Sequence, residues 1–175
     1  MNLPNLLSIS RLILVFPIIC LFEIDYFLLS CSIFILASLT DFLDGYLARK
    51  NNLESDLGSL LDLLADKLFV SILLVWLSFK FESYFLLICT ISIFTREISI
   101  SYVRLFLVTK SKELSEISSD FSGKLKTSFQ MVGLGLLLIS SLNPLYLYNL
   151  SLAFVFLSAL LSWFSFYNYL KKWIV

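Results

Sequence analysis

The chain has no histidine, only 3 cysteines, 3 prolines and 5 glycines, and charged residues fill just 15% of its 175 positions. Each shortage excludes something. Without histidine there is no imidazole to act as a base near neutral pH and no ring nitrogen for a transition metal, so acid–base or metal chemistry falls to carboxylates. Cys20, Cys31 and Cys89 each lie within an apolar run and show neither metal-ligand spacing nor a disulfide framework, which makes them lipid-facing or packing residues. No repeat and no Ser/Gly-rich or Pro-rich linker divides the chain, so a single domain over residues 1–175 is expected. Lys and Arg number 13, as do Asp and Glu, and this balance offers no basic surface for nucleic acid.

What the chain has in abundance is hydrocarbon: 59% of its residues are hydrophobic and the mean hydropathy is +0.91. A soluble domain of this length needs far less. A membrane-spanning helix takes about 20 mostly apolar residues, and windows of that kind fall at 6–22, 26–49, 57–80, 84–104, 127–142 and 147–170. No alternating barrel pattern appears, and open strands are too costly in hydrocarbon, so the expected fold is all-α, a polytopic bundle of about six transmembrane helices. The stretch 5–22 lacks a small-residue cleavage signature and is expected to be a first membrane helix, not a signal peptide.

Charge position sets the orientation. Arg11, Arg49, Lys50, Arg104, Lys110, Lys112, Lys124, Lys126, Lys171 and Lys172 fall on one side of the expected bundle and Lys80 stands nearly alone on the other, so both termini are expected to be cytoplasmic. Residues 108–121, the most polar stretch, should form a cytoplasmic loop or surface helix, and Asn143-Pro144 should turn the chain on the far side.

Within the second and third spans the apolar pattern is broken by Asp41, Asp44, Arg49, Asp62, Asp66 and Lys67. An intramembrane charge costs at least a few kcal/mol. Asp41 and Asp44 stand at i,i+3, and Asp62 and Asp66 at i,i+4, so each pair shares one helix face. One buried Asp is commonly answered by a neighbouring Lys or Arg; four, with only Arg49 and Lys67 close in sequence, are not. If the two faces meet, the carboxylates repel one another in a low dielectric, and hard divalent cations, magnesium or manganese, are the fitting compensation. Gly45, Ala48 and Gly58 leave room beside them for a bulky ligand or a close helix approach.

The run Asp41-x-x-Asp44-Gly45-x-x-Ala48-Arg49, followed after eight residues by Gly58-x-x-x-Asp62-x-x-x-Asp66, resembles the signature of the CDP-alcohol phosphatidyltransferase family at every position. The resemblance implies that Asp41, Asp44, Asp62 and Asp66 hold two divalent metals on the diphosphate of a CDP-linked lipid, and that Asp66 is also the proton acceptor. It further implies nucleotide-lipid contacts for Gly45, Ala48, Arg49, Ser55 and Gly58, with Asn5 and Ser8 near the start of the first helix, although Asn5 equally suits a helix cap. The resemblance also implies a homodimer.

Weaker motifs resemble the phosphatidylglycerophosphate synthase branch: Asn5-Leu6-Leu7-Ser8 with Arg11, Asp62-x-x-Ala65-Asp66-Lys67, Thr95-Arg96-Glu97-Ile98 with Arg104, and Gly123-Lys124-x-Lys126-Thr127-x-x-Gln130. That branch implies CDP-diacylglycerol as donor and sn-glycerol 3-phosphate as acceptor. Arg96, Arg104, Lys124 and Lys126 would then bind the acceptor's own phosphate. The alternative for such cations is anchoring to anionic lipid head groups, which suits Lys110, Lys112, Lys171 and Lys172; Arg96 lies within an apolar run and should face the bundle interior. Two rival functions remain open at this point: the same chemistry with phosphatidylglycerol or an inositol phosphate as acceptor, and a cation transporter with midplane carboxylates.

Overall fold

A computed structural model describes the backbone of residues 3–51, 56–109 and 121–174, and the side chains of residues 9–40, 64–103, 106 and 125–171. Six α-helices make up the bundle: α1 (Leu3–Glu23), α2 (Phe27–Asn51), α3 (Asp56–Lys80), α4 (Tyr84–Thr109), α5 (Phe121–Ile139) and α6 (Tyr146–Ile174), with a 3-10 turn at Ser140–Leu142. No strand occurs among the described residues, and the protein is an all-α polytopic membrane protein. Among those residues, Tyr84–Val103, Leu125–Leu142 and Tyr146–Lys171 are long and apolar enough to cross a bilayer, and Phe27–Thr40 is a shorter apolar segment.

The expected spans match these helices except at their polar ends. α5 begins at Phe121, earlier than the apolar window at 127, because the helix continues through Lys124 and Lys126. α4 likewise runs on to Thr109, so the expected polar connection at 108–121 has Val108 and Thr109 in α4 and Phe121 in α5, and its residues 110–120 lie outside the described residues. Backbone hydrogen bonding outlasts hydropathy at a membrane surface, where charged residues can stay helical.

Two of the tight turns follow one pattern. At the end of α1, Tyr26 N–H donates to Leu21 O and Asp25 N–H to Phe22 O; at the end of α3, Ser83 N–H donates to Ser78 O and Glu82 N–H to Phe79 O. These paired bonds satisfy the last helical carbonyls in the Schellman manner, with Asp25 (φ 64°) and Glu82 (φ 48°) in the left-handed region. Lys80 and Glu23 pair across the two turns. At the third turn, where the Asn-Pro pair is expected to turn the chain, Asn143 Oδ1 accepts from Tyr146 N–H at 3.4 Å and caps α6.

The helices close into a ring in the order α1, α2, α5, α6, α4, α3, with α3 also touching α5. The interior stripes are regular: Val15, Ile18 and Phe22 on α1, Phe34 and Ala37 on α2, Phe69, Leu73 and Leu77 on α3, Leu86, Cys89 and Ile93 on α4, Leu134, Leu137 and Leu138 on α5, and Val155 and Ala159 on α6. Phe22 meets Phe27, Trp76 and Phe81 edge to face, whereas Phe34 of α2 and Phe69 of α3 stack with ring centroids 5.7 Å apart. Cys31 and Cys89 are buried packing residues and Cys20 is exposed.

Candidate active site

Followed toward the end opposite the tight turns, the apolar stripes turn polar. On α1, Arg11 precedes Val15 by four residues on the same face and is only 1% exposed. On α4, Arg96 follows Ile93 by three residues, and on α5 Lys126 and Gln130 precede Leu134 in steps of four. All three are buried, as are Ser162 and Ser165 on α6. The sidedness count places Arg11 at the basic end without saying which way it faces; the structure puts it inside, on the α1 face that packs toward α2 and α3.

The described charged side chains gather around Glu97. Lys126 Nζ hydrogen-bonds to Glu97 Oε1, Arg96 Nη1 donates to the same oxygen at 2.9 Å, and Lys67 Nζ lies 3.6 Å from Oε2. Arg96 is held further by α6, through Nε to Ser162 O at 2.8 Å and Nη2 to Ser165 Oγ at 3.2 Å. Lys67 donates to Ser101 Oγ at 2.6 Å and to Glu97 O at 3.4 Å. Three cations from α3, α4 and α5 thus share one carboxylate, Arg96 and Lys126 buried and Lys67 and Glu97 partly so. Such a group concentrates positive charge where the low dielectric strengthens its pull on an anion.

The acidic helices run into the same end. Asp41 follows Phe34 by seven residues on α2, and Asp62 precedes Phe69 by seven on α3, about two helical turns each. Since Phe34 and Phe69 stack on each other, the two stripes face one another at that level. Asp41 with Asp44 and Asp62 with Asp66 continue those stripes toward the polar end. Asp66 is partly buried. The side chains of Asp41, Asp44 and Asp62 lie outside the described residues, and among the described residues no group of three or more metal-ligating side chains forms. The donor set is all oxygen, which suits a hard divalent ion.

Of the remaining expected contacts, Asn5, Ser8, Gly45, Ala48, Arg49, Gly58, Arg104 and Lys124 lie on described helix backbone with side chains outside the described residues, and Ser55 lies outside them altogether. Arg96 and Lys126 are brought together. In the sequence Lys67 stands out only as a neighbour of the aspartates and Glu97 only as a neighbour of Arg96. A hint was present: a Glu within an apolar helix needs cationic company as much as an Arg needs anionic company.

Among the described residues the bundle interior turns from hydrocarbon to clustered cations around one carboxylate at the end where α2 and α3 carry the paired aspartates. The family model for CDP-alcohol phosphatidyltransferase matches residues 1–166, and the chain belongs to that family of enzymes. It is 37% identical over 177 residues to the CDP-diacylglycerol--glycerol-3-phosphate 3-phosphatidyltransferase of Rickettsia typhi, covering 97% of this chain and 96% of that protein. The protein of the same name from Salmonella choleraesuis is 32% identical over 173 residues, covering 97% of this chain and 93% of its own. CDP-diacylglycerol--glycerol-3-phosphate 3-phosphatidyltransferase 2 of Arabidopsis thaliana is 36% identical over 186 residues, covering 98% of this chain and 79% of its own. No solved structure matches the chain.

Proposed function

We propose that this enzyme transfers the phosphatidyl group of CDP-diacylglycerol to sn-glycerol 3-phosphate, releasing CMP and phosphatidylglycerophosphate. The observation that carries the acceptor assignment is the buried convergence of Lys67, Arg96 and Lys126 on Glu97. Cations assembled at that cost in a membrane interior suit an acceptor bearing a phosphomonoester, which offers up to two negative charges and three acceptor oxygens. The relatives' names point the same way.

Asp41, Asp44, Asp62 and Asp66 would hold two divalent cations, magnesium or manganese, which when bound neutralise the donor's diphosphate and favour in-line displacement at phosphorus. Asn5, Ser8, Gly45, Ala48, Arg49, Ser55 and Gly58 border the nucleotide-lipid, the small residues giving close approach and Arg49 pairing with phosphate. Arg96 and Lys126, with Lys124 and Arg104 at neighbouring helix ends, bind the acceptor phosphate and aim its hydroxyl. Asp66 takes the hydroxyl proton as the new oxygen–phosphorus bond forms and the bond to CMP breaks. The enzyme works as a homodimer in the cytoplasmic membrane, with the site on the cytoplasmic side.

Purified protein should be offered CDP-diacylglycerol with glycerol 3-phosphate, inositol phosphate, serine or phosphatidylglycerol in parallel, and the lipid products identified. Phosphatidylglycerophosphate should dominate, and chelation should stop its formation until magnesium or manganese is restored. Preference for an acceptor without a phosphomonoester overturns the acceptor assignment. A proteoliposome that moves cations but releases no CMP with any alcohol would return the transporter reading.

A further inference from the structure

Glu97 is the common point of the cation group, and the geometry points to it as the positioning residue of the acceptor site, the carboxylate that sets the spacing at which Lys67, Arg96 and Lys126 meet a phosphomonoester. This rests on the acceptor reading above. Three cations brought within a few ångströms repel one another, and in a low dielectric that repulsion drives flexible lysines toward water. Both carboxylate oxygens are used against it, Oε1 by Lys126 and Arg96 and Oε2 by Lys67. Arg96 has a second anchor on α6, and Lys67 has Ser101. Glu97 is the group that touches all three, with 17% of its side chain exposed.

The placement also joins two sites. Lys67 directly follows Asp66 on α3, while Lys126 belongs to α5 and Arg96 to α4. The carboxylate of Glu97 therefore fixes the acceptor-binding helices α4 and α5 against the helix that carries the proton acceptor. An error there moves the acceptor hydroxyl relative to Asp66, while Asp66 keeps its place on α3 beside Asp62 and, among the described residues, no hydrogen bond or ion pair joins Glu97 to the α2 half of the donor site. Small misplacements of this kind are expensive in rate.

Glu97→Gln tests it, with separate KM values for glycerol 3-phosphate and CDP-diacylglycerol. The expected result is at least a tenfold rise in the KM for glycerol 3-phosphate, a smaller fall in kcat, and a CDP-diacylglycerol KM within about twofold of wild type. Lys67→Met should cost less in the Glu97→Gln background than alone, because both changes act through one contact. If Glu97→Gln does not purify folded, Glu97→Asp, which keeps the charge but shortens its reach, is judged by the same KM split. An unchanged or lower KM for glycerol 3-phosphate, or a parallel rise for both substrates, overturns the role of Glu97, provided the wild-type enzyme makes phosphatidylglycerophosphate. A wild type that instead favours an unphosphorylated acceptor fails the acceptor reading itself.

Discussion

At the residue scale, hydrocarbon makes every ionic side chain answer for its neighbours. Arg96 illustrates the requirement, giving its three nitrogens to a backbone carbonyl, a hydroxyl and a carboxylate on two helices. Asp66 is the proposed proton acceptor, and Asp66→Asn tests that role. The amide keeps the size and an oxygen ligand but cannot take a proton, so turnover should fall by about 10²–10⁴-fold. Calorimetric binding of CDP-diacylglycerol should persist. Near-normal product formation would remove Asp66 from the role, and joint loss of binding would make it chiefly a metal ligand. The spacing of the aspartates in the sequence puts each pair on one helix face, and the side chains of Asp41, Asp44 and Asp62 lie outside the described residues. Lys67 and Glu97 were not legible there, since their partners lie 30 and 29 residues away along the chain and meet only in the folded bundle. Arg11 has a readable signal, its spacing of 4, 7 and 11 from Val15, Ile18 and Phe22, whereas positive-inside counting speaks only to its side of the membrane and not to its burial.

At the scale of elements, hydropathy located all six helices and misjudged their polar ends, because Lys124 and Lys126 lower the apolar average without breaking the helix. Helix neighbours were not legible: the ring order follows from side-chain shape, which periodicity does not encode. α5 and α6 show why. A Cβ at Gly133 would stand 2.8 Å from Val155 Cγ2 and 3.2 Å from Val155 N, so the two helices approach over a missing side chain. Gly133→Ala should force them apart and lower stability by about 1–3 kcal/mol, as overpacking does. Gly135→Ala should be nearly neutral, since its Cβ would meet only Phe34 Cε1 at 3.7 Å. Thermal unfolding in detergent decides it. Equal melting temperatures for the two variants would mean that the close approach at Gly133 carries no weight.

At the scale of the whole molecule, one asymmetry organises everything else: apolar stripes and tight turns at one end, polar interior and most of the basic residues at the other. The positive-inside bias predicts that the polar end, the candidate site and both termini face the cytoplasm. Two exposed positions at opposite ends test it. Leu145, in the turn between α5 and α6, is 81% exposed, and Lys171, near the end of α6, is exposed as well. With Cys20→Ser to remove the exposed native thiol and Cys31 and Cys89 buried, Leu145→Cys should react with a membrane-impermeant maleimide in intact bacterial cells. Lys171→Cys should react only after the membrane is opened. The reverse pattern would turn the bundle over and put the acidic stripes of α2 and α3 on the outer face, away from a cytoplasmic glycerol 3-phosphate pool. Labelling of both positions in intact cells would be incompatible with a single orientation.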